Sequence, residues 1–200
     1  MTPIAIATED QLSEAIALRL ISEIQTPHFI QHKLGKTGNG YLRSKMGNWY
    51  RMAQHQVMVV VTDLDRANCL VEFRDQWLVA EPPANLVFRI AVREVESWVL
   101  ADHHAMRELI GVKGVLPVAP DDLADPKRAL LGLAKGAPKQ VRDDLLKVTN
   151  GNLTQGLGYN ARLTAWINSE WSPKRAADRS PSLAKARSRL KEVVGAFVRP

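Results

Sequence analysis

The chain of 200 residues contains a single cysteine, Cys69. One cysteine excludes an intramolecular disulfide and a cysteine-based zinc site, and it suits a reducing compartment. The N-terminal sequence MTPIAIATEDQLSEA has no basic residue, so we expect no signal peptide. The longest apolar runs are far too short to cross a membrane. We therefore expect a cytoplasmic protein that does not associate with membranes.

The composition is close to that of ordinary globular proteins. Hydrophobic residues make up 46% and charged residues 24% of the chain, which excludes global disorder. The net charge is +6 and the pI is about 9.6, which favours a polyanionic partner. The basic residues gather at residues 33–51, 135–142 and 174–199. Two interpretations stay open: contacts to nucleic acid, or basic helix faces that keep the chain soluble.

The first half of the chain alternates between strand and helix patterns. Residues 3–8 (PIAIAT) and 56–61 (QVMVVV) are apolar throughout, which is typical of buried strands. Residues 27–34 and 86–92 predict two further strands. Helices are predicted between them, at residues 10–24, 41–55 and 68–79. The order βαβαβαβ predicts an α/β fold with a four-stranded parallel sheet flanked by helices. In such a sheet a ligand binds outside the carboxyl ends of the strands.

The second half of the chain is predicted to be mainly helical. Helices are predicted at residues 94–101, 126–135, 139–149, 159–171 and 181–197. Asp125 and Ser180 each precede a proline, which is the arrangement of an N-cap followed by proline at the first helical position. The sequence thus predicts an α/β domain of residues 1–112 and a helical extension or subdomain of residues 113–200.

Acidic residues follow three of the four predicted strands. Glu9 follows the first strand, Asp63 and Asp65 (TDLD) follow the third, and Glu94 and Glu96 (REVESW) follow the fourth. Because parallel strands end at one edge, these carboxylates should meet in one cleft. Carboxylates held close together repel each other, and a hard divalent cation such as Mg²⁺ removes that conflict.

The spacing of Asp63 and Asp65 is compatible with metal binding and also with a purely structural role. On an extended segment, the side chains of Asp63 and Asp65 would point to the same face and could bind one ion or two. Alternatively, Asp63 and Asp65 cap a loop, Glu94 caps its helix, and Glu9 lies in solvent. We take Glu9, Asp63, Asp65, Glu94 and Glu96 as candidate metal ligands.

Residues 35–40 (GKTGNG) have the composition of a loop. Gly-Lys-Thr is similar to the end of a phosphate-binding P-loop, but Ile30 stands where that motif requires its first glycine, so we exclude an ATP site. The segment is either a lid or phosphate contact, or a plain linker. The candidate nucleic-acid-binding residues are Lys33, Lys36, Arg43, Lys45 and Arg93. Arg93 could equally pair with the neighbouring carboxylate.

The order of these elements resembles the TOPRIM domain of topoisomerases, primases and nucleases of the overcoming-lysogenization-defect type. The resemblance lies in a strand ending in Glu9, two helix–strand units, and a strand ending in Asp63-x-Asp65. The whole chain is similar to small TOPRIM-related bacterial proteins that are encoded beside ABC-type ATPases in phage-defence settings. The segments that carry this similarity are TEDQLSEAIALRLI, VTDLDRANC, LVFRIAVREVESWVLAD, DPKRAL, GLGYN and SPSLAKA.

The resemblance implies a nuclease that depends on Mg²⁺ or Mn²⁺ and hydrolyses DNA or RNA, as the effector of an ATPase-associated defence system. It implies catalytic and metal-binding roles for Glu9, Asp63 and Asp65, whereas Glu94 and Glu96 are added from their placement. Asp10 stands where many TOPRIM sequences have glycine after the first acid. Two alternatives remain: a non-catalytic subunit that docks an ATPase or binds nucleic acid, and a phosphoryl-transfer enzyme for a small substrate. A homo-oligomer is compatible with the sequence.

Overall fold

A computed structural model describes residues 1–78, 80–111 and 114–197. The chain forms two compact units, the first made of Met1–Ala91 with Lys185–Pro200 and the second of Val92–Ala184. The domain boundary predicted between residues 112 and 113 lies outside the described residues. Within the described residues, no helix is long and apolar enough to cross a membrane.

The first unit is built on a four-stranded sheet. The strands are β1 (Thr2–Thr8), β2 (His28–Gly35), β3 (Val57–Asp63) and β4 (Leu86–Ala91). Their order in the sheet is β2-β1-β3-β4, and every neighbouring pair is parallel. The structure therefore confirms the predicted α/β class with a four-stranded parallel sheet.

The two central strands carry the core of the first unit. Every residue of β1 and β3 is buried, which explains why both sequences are apolar without alternation. Helix α1 (Gln11–Ser22) packs against both strands. Helices α2 (Asn39–Ser44), α3 (Met46–Met52) and α4 (Leu70–Trp77) supply a second group of side chains. They pack against alternate residues of β1 and β3. The buried residues of this cluster, from strands and helices together, are Ala5, Ala7, Leu42, Met46, Trp49, Ala53, Met58, Val60, Trp77 and Leu86.

The single helix predicted for residues 41–55 is wrong, because the chain forms two short helices there. They are separated at Lys45, whose φ of −101° and ψ of 8° depart from helical values. The indole N–H of Trp49 donates to the carbonyl oxygen of Leu42 at 2.9 Å. This bond ties α3 back to the last turn of α2, so the break leaves both side chains buried.

The second unit is mostly helical. Its elements are α5 (Glu96–Ala101), α6 (His103–Ile110), α7 (Pro126–Ala134), α8 (Lys139–Leu145), β5 (Leu146–Thr149), β6 (Asn152–Gln155), α9 (Tyr159–Ser169), α10 (Pro173–Ala176) and the beginning of α11 (Pro181–Ala196). Both predicted N-caps are confirmed. Asp125 accepts from the N–H of Arg128 at 2.7 Å, and Ser180 accepts from the N–H of Leu183 at 3.2 Å.

A β-hairpin replaces the end of one predicted helix. The prediction of a helix over residues 139–149 is wrong beyond Leu145, because the chain continues as β5 and returns as the antiparallel strand β6. Asn150 and Gly151 connect them with φ values of +51° and +77°. Two consecutive left-handed residues suit the twist of a tight hairpin, and Asn-Gly is the usual sequence for them. Asn150-Gly151 was therefore the sequence feature from which this hairpin could have been predicted.

Candidate functional site

The carboxyl ends of the four parallel strands lie along one edge of the first unit. Thr8, the last residue of β1, is paired with Gly35 of β2. It is also paired with Val61 of β3. On the other side of β3, Asp63 is paired with Ala91, the last residue of β4. Acids that follow β1 and β3 therefore start from neighbouring strands at the same edge.

Three of the predicted site residues, Glu9, Asp63 and Asp65, lie at this edge, and we call them the acidic edge. The Oε1 atom of Glu9 accepts a hydrogen bond from the backbone N–H of Asp63 at 2.8 Å. It accepts another from the hydroxyl of Thr62. The structure thus brings the acid after β1 onto the segment that carries Asp-x-Asp.

The pKa of Glu9 is raised above its ordinary value. Burial of the carboxyl group is the largest cause, and the negative charges of Asp65 and Asp10 add to it. The hydrogen bonds from Thr62 and from the backbone of Asp63 act in the opposite direction, because they stabilise the carboxylate. A cation bound at the acidic edge would also favour the ionised form of Glu9.

Asp63 and Asp65 differ in backbone conformation and in exposure. Asp63 is the last residue of β3 and is 8% exposed, whereas Asp65 is exposed and has a φ of +52°. The expectation that an extended segment presents both side chains on one face does not hold, because the chain has entered the left-handed region at Asp65. The side-chain amide of Asn39 donates to Asp65 Oδ2 at 3.1 Å, so this carboxylate is held from the start of α2.

Asp10, the departure from the TOPRIM pattern, begins helix α1. Its φ of −146° is an extended value that any residue adopts, so this position does not require glycine. Asp10 Oδ1 accepts from the N–H of Ser13 at 2.8 Å and from the hydroxyl of Ser13 at 2.7 Å. The aspartate therefore acts as the N-cap of α1, which begins two residues after Glu9.

The loop of residues 35–38 is hydrogen-bonded to the end of β1 and to the residue that follows it. The N–H of Lys36 donates to the carbonyl oxygen of Thr8 at 2.7 Å, and the N–H of Gly38 donates to that of Glu9 at 3.0 Å. Gly35 has a φ of +91°, and a Cβ atom there would lie 2.2 Å from the carbonyl oxygen of Thr8. Glycine is therefore required at this position, and the loop is fixed to the acidic edge.

Lys36 brings a positive charge to the same region. Its backbone is left-handed, with a φ of +67°. Its ammonium group lies 3.2 Å from Glu14 Oε2, and the Glu14 side chain is only 13% exposed. Since Glu14 lies in the first turn of α1, this ion pair connects the loop after β2 to the helix after β1.

The other predicted nucleic-acid-binding residues lie in two places. Lys33 and Arg43 are exposed, and their side chains form no ion pair among the described residues of the chain. Lys45 lies over the ring of Tyr41 at 5.7 Å from its centroid. These residues belong to the first unit, whereas Arg93, with a φ of +61°, belongs to the second.

Glu94 and Glu96 meet around a lysine of the second unit. The Lys127 ammonium lies 3.1 Å from Glu94 Oε1 and 3.6 Å from Glu96 Oε1. Glu94 Oε2 also accepts from the backbone N–H of Lys127 at 3.0 Å. The hydroxyl of Tyr159 donates to Glu96 Oε1 at 2.9 Å. A lysine thus already supplies the positive charge between these two acids, and their role as metal ligands stays a prediction.

Burial dominates the electrostatics of this group. The pKa of Glu96 is raised, first by burial and then by the charge of Glu94, while Lys127 and the hydrogen bond from Tyr159 lower it. The pKa of Tyr159 is raised by burial and by the neighbouring Glu96. Both groups therefore favour their neutral forms more than they would in water.

From the sequence we expected five carboxylates to meet in one metal-binding cleft, and no such group is found among the described residues. Within residues 1–78, 80–111 and 114–197, no three or more His, Cys, Asp or Glu side chains are grouped so that they could hold a metal ion. Mg²⁺ needs only one or two carboxylates, because water and substrate phosphates supply the remaining oxygens. The raised pKa of Glu9, caused mainly by burial and in smaller part by the charge of Asp65, is compatible with a cation here.

Several residues with evident roles were missed by the sequence analysis. Thr62 directly precedes Asp63, so its position was a usable signal. Asn39 and Lys127 contact acids that are 26 and 33 residues distant along the chain. No local pattern reports contacts of that range, and only the folded arrangement reveals them.

Comparison with protein-family models, curated proteins and solved structures gives no match. The similarity to TOPRIM domains therefore depends on the order of strands and acids in this sequence. A function for the acidic edge therefore has to be inferred from the positions and chemistry of its own residues.

Proposed function

We propose that the chain is a TOPRIM-like nuclease that hydrolyses phosphodiester bonds of DNA or RNA with Mg²⁺ or Mn²⁺. One observation carries this proposal: Glu9, after β1, accepts a hydrogen bond at 2.8 Å from the backbone N–H of Asp63 at the end of β3. Acids that are remote in sequence thus share one edge of a parallel sheet, where open α/β folds bind ligands.

In this proposal Asp63 and Asp65 hold the metal ion, with Glu9 beside them. The ion supplies positive charge that neutralises a phosphate oxygen as negative charge develops in the transition state. Asn39 positions Asp65 through its hydrogen bond at 3.1 Å. The loop of residues 35–38 fixes the backbone around Glu9 through bonds to Thr8 and Glu9.

Glu9 is the proposed general base. It takes a proton from the water that attacks phosphorus, while the bond from phosphorus to the leaving sugar oxygen breaks and that oxygen takes up a proton from solvent. Two hydrogen bonds to its Oε1 atom, from Thr62 and Asp63, hold the carboxyl group in one orientation.

The exposed cations of residues 33–45 are the proposed contacts to the nucleic-acid backbone. Lys33 and Arg43 have no ion-pair partner in the part of the chain that the structure describes, and Lys36 pairs with Glu14 in the first turn of α1. Binding by such contacts depends on charge neutralisation and should weaken steeply as salt increases. A role beside an ABC-type ATPase in phage defence belongs to the proposal through the TOPRIM resemblance alone. A cytoplasmic location is proposed from the single cysteine, which suits a reducing compartment.

The test combines calorimetric titration of Mg²⁺ and Mn²⁺ with cleavage of plasmid DNA and RNA. The variants are Asp65→Asn, Glu9→Gln and the control Glu81→Gln. Glu81 is exposed and precedes β4, at the opposite edge of the sheet from the strand ends. We expect Asp65→Asn to weaken metal binding at least about tenfold, and both site variants to lose cleavage. Glu81→Gln should match the unmodified protein.

The two readouts separate the parts of the proposal. Saturable metal binding without cleavage of either substrate would reject the nuclease and favour the non-catalytic subunit. Absence of metal binding by the unmodified protein would reject the metal site. Loss of cleavage in Glu81→Gln as well would show that the effect does not depend on the acidic edge.

A further inference from the structure

The second unit contains an open cleft of about 620 Å³. One wall is a face of α7 together with its C-cap residue Lys135. Lys127, Leu131 and Lys135 recur there at intervals of four residues, with Arg128 beside them. The other wall is the strand β6 and the glycine before it. The volume lies within the range of about 300–1,000 Å³ that is usual for small-ligand sites. A ligand as large as a nucleotide would fit.

The cleft contains two cations without partners. The side chains of Arg128 and Lys135 form no ion pair and no hydrogen bond within the described residues. Seven residues of helix separate them, which corresponds to roughly 10 Å along the helix axis. The two cations therefore lie along one wall, where both are available to one anionic ligand.

The carboxylates in the cleft are already occupied. Glu94 accepts from the backbone and from the ammonium group of Lys127, and Asp125 accepts from the backbone N–H of Arg128. Three cations and two carboxylates line the cleft, so the net charge of its lining is positive. Because Glu94 and Lys127 neutralise each other at one end, an anion is expected at the end formed by Arg128 and Lys135.

The wall opposite α7 supplies neutral polar groups. Residues Asn152, Thr154 and Gln155 of β6 line the cleft with amide and hydroxyl groups. The hydroxyl of Thr154 donates to the carbonyl oxygen of Lys147 at 3.2 Å, and Gln155 is hydrogen-bonded to Tyr159. The amide of Asn152 and the remaining acceptor positions of this wall suit the sugar or base of a nucleotide beside a charged phosphate. Leu131 is 4% exposed and provides an apolar contact between the cations.

We propose that this cleft binds a phosphate group through Arg128 and Lys135, with the remainder of a nucleotide-sized ligand against β6. Arginine binds phosphate with paired N–H groups and lysine as a point charge. The phosphate comes either from a free nucleotide or from a nucleic-acid backbone. This site uses none of the residues of the acidic edge, so it stands independently of the proposed nuclease activity.

The experiment is calorimetric titration of inorganic phosphate and of adenosine monophosphate into the full chain, with EDTA present. EDTA removes any metal, so phosphate bound to a metal ion at the acidic edge cannot contribute. The test variant is Arg128→Ala/Lys135→Ala, in which both residues are exposed and folding should be preserved. The matched control is Lys139→Ala/Lys174→Ala. It removes two exposed cations of the same unit that do not line the cleft.

We expect saturable binding by the unmodified protein and the control, and at least about tenfold weaker binding by the test variant. A competing oligothymidylate of about eight nucleotides identifies the source of the phosphate. Displacement of adenosine monophosphate by it assigns the cleft to a nucleic-acid backbone, and failure to displace assigns it to a free nucleotide. No saturable binding, or equal weakening in both double variants, overturns the proposal.

Discussion

The carboxylate of Glu9 accepts a hydrogen bond of 2.8 Å from the backbone N–H of Asp63, although 54 residues separate the two along the chain. The hydroxyl of Thr62 donates to the same oxygen. Glu9 follows β1 and Asp63 ends β3, so these bonds connect the ends of the two central strands. Glu9 therefore has a structural role as well as its proposed chemical one.

Replacing Glu9 separates these two roles. Glu9→Ala leaves the hydroxyl of Thr62 and the N–H of Asp63 without their acceptor, and we expect the free energy of unfolding to fall by about 1–3 kcal/mol. Glu9→Gln keeps an oxygen acceptor and should cost clearly less. Urea unfolding followed by circular dichroism measures both. If the two variants are equally destabilised, the charge of Glu9 rather than its acceptor oxygen holds the strands.

The fold of the first unit was predictable because its signals are local. The continuous apolar runs of β1 and β3 predicted central strands, and the strand–helix alternation predicted parallel pairing. The β-hairpin at residues 146–155 was missed because residues 139–149 contain good helix formers, which outweighed Asn150-Gly151. The break between α2 and α3 depends on how Trp49 packs, which no periodicity reports.

Gly35 tests whether the loop after β2 must lie against β1. In Gly35→Ala the new Cβ would lie 2.2 Å from the carbonyl oxygen of Thr8, at a φ of +91°. We expect a loss of about 3 kcal/mol or more, since strain and a backbone clash add together. Gly47→Ala is the control, because a Cβ there meets nothing within 4 Å in helix α3. That variant should be neutral or gain up to about 1 kcal/mol. Thermal unfolding of the two variants side by side distinguishes them, and equal behaviour would contradict the close approach.

The candidate site was predictable in its residue types and less so in its geometry. Glu9 and Asp63 could be placed at one edge from strand order alone. The left-handed backbone of Asp65 and its bond to Asn39 could not, because both depend on a loop whose path is set by distant contacts. The pairing of Glu94 with Lys127 has the same origin.

Asp102 should be a main determinant of stability in the second unit. It is fully buried, and its carboxylate accepts from Arg175 Nε and from the backbone N–H of Ser172, both at 2.8 Å. It also accepts from the N–H of Ala105. Asp102→Ala removes every one of these acceptors, and we expect a loss of about 2–5 kcal/mol, because each buried donor left without an acceptor costs about 1–3 kcal/mol. Arg175→Ala should cost less, because the arginine side chain is 42% exposed and the two backbone donors keep their acceptor. Denaturant unfolding of both variants decides the order, and a larger loss in Arg175→Ala would contradict it.

Glu96 should make the stability of the chain depend on pH. Its pKa is raised above 4.5 in the folded protein, mainly by burial, so the folded state binds protons more tightly than the unfolded state. Its contribution to the free energy of unfolding is therefore fully present below the unfolded pKa, and it is lost as the pH rises through the folded pKa. Glu96→Gln cannot titrate and keeps an oxygen to accept from Tyr159. We expect this variant to gain stability relative to the unmodified protein as the pH rises.

The measurement is urea unfolding of the unmodified protein and of Glu96→Gln from about pH 5 to about pH 8. Glu81→Gln is the control, because it makes the same substitution at an exposed carboxyl group outside the group formed by Glu94, Glu96 and Lys127. The opposite trend, in which Glu96→Gln loses stability relative to the unmodified protein as the pH rises, would mean that attraction to Lys127 outweighs burial. Lys127 would then be the dominant influence on the buried carboxylate, and Lys127→Met should reverse the trend.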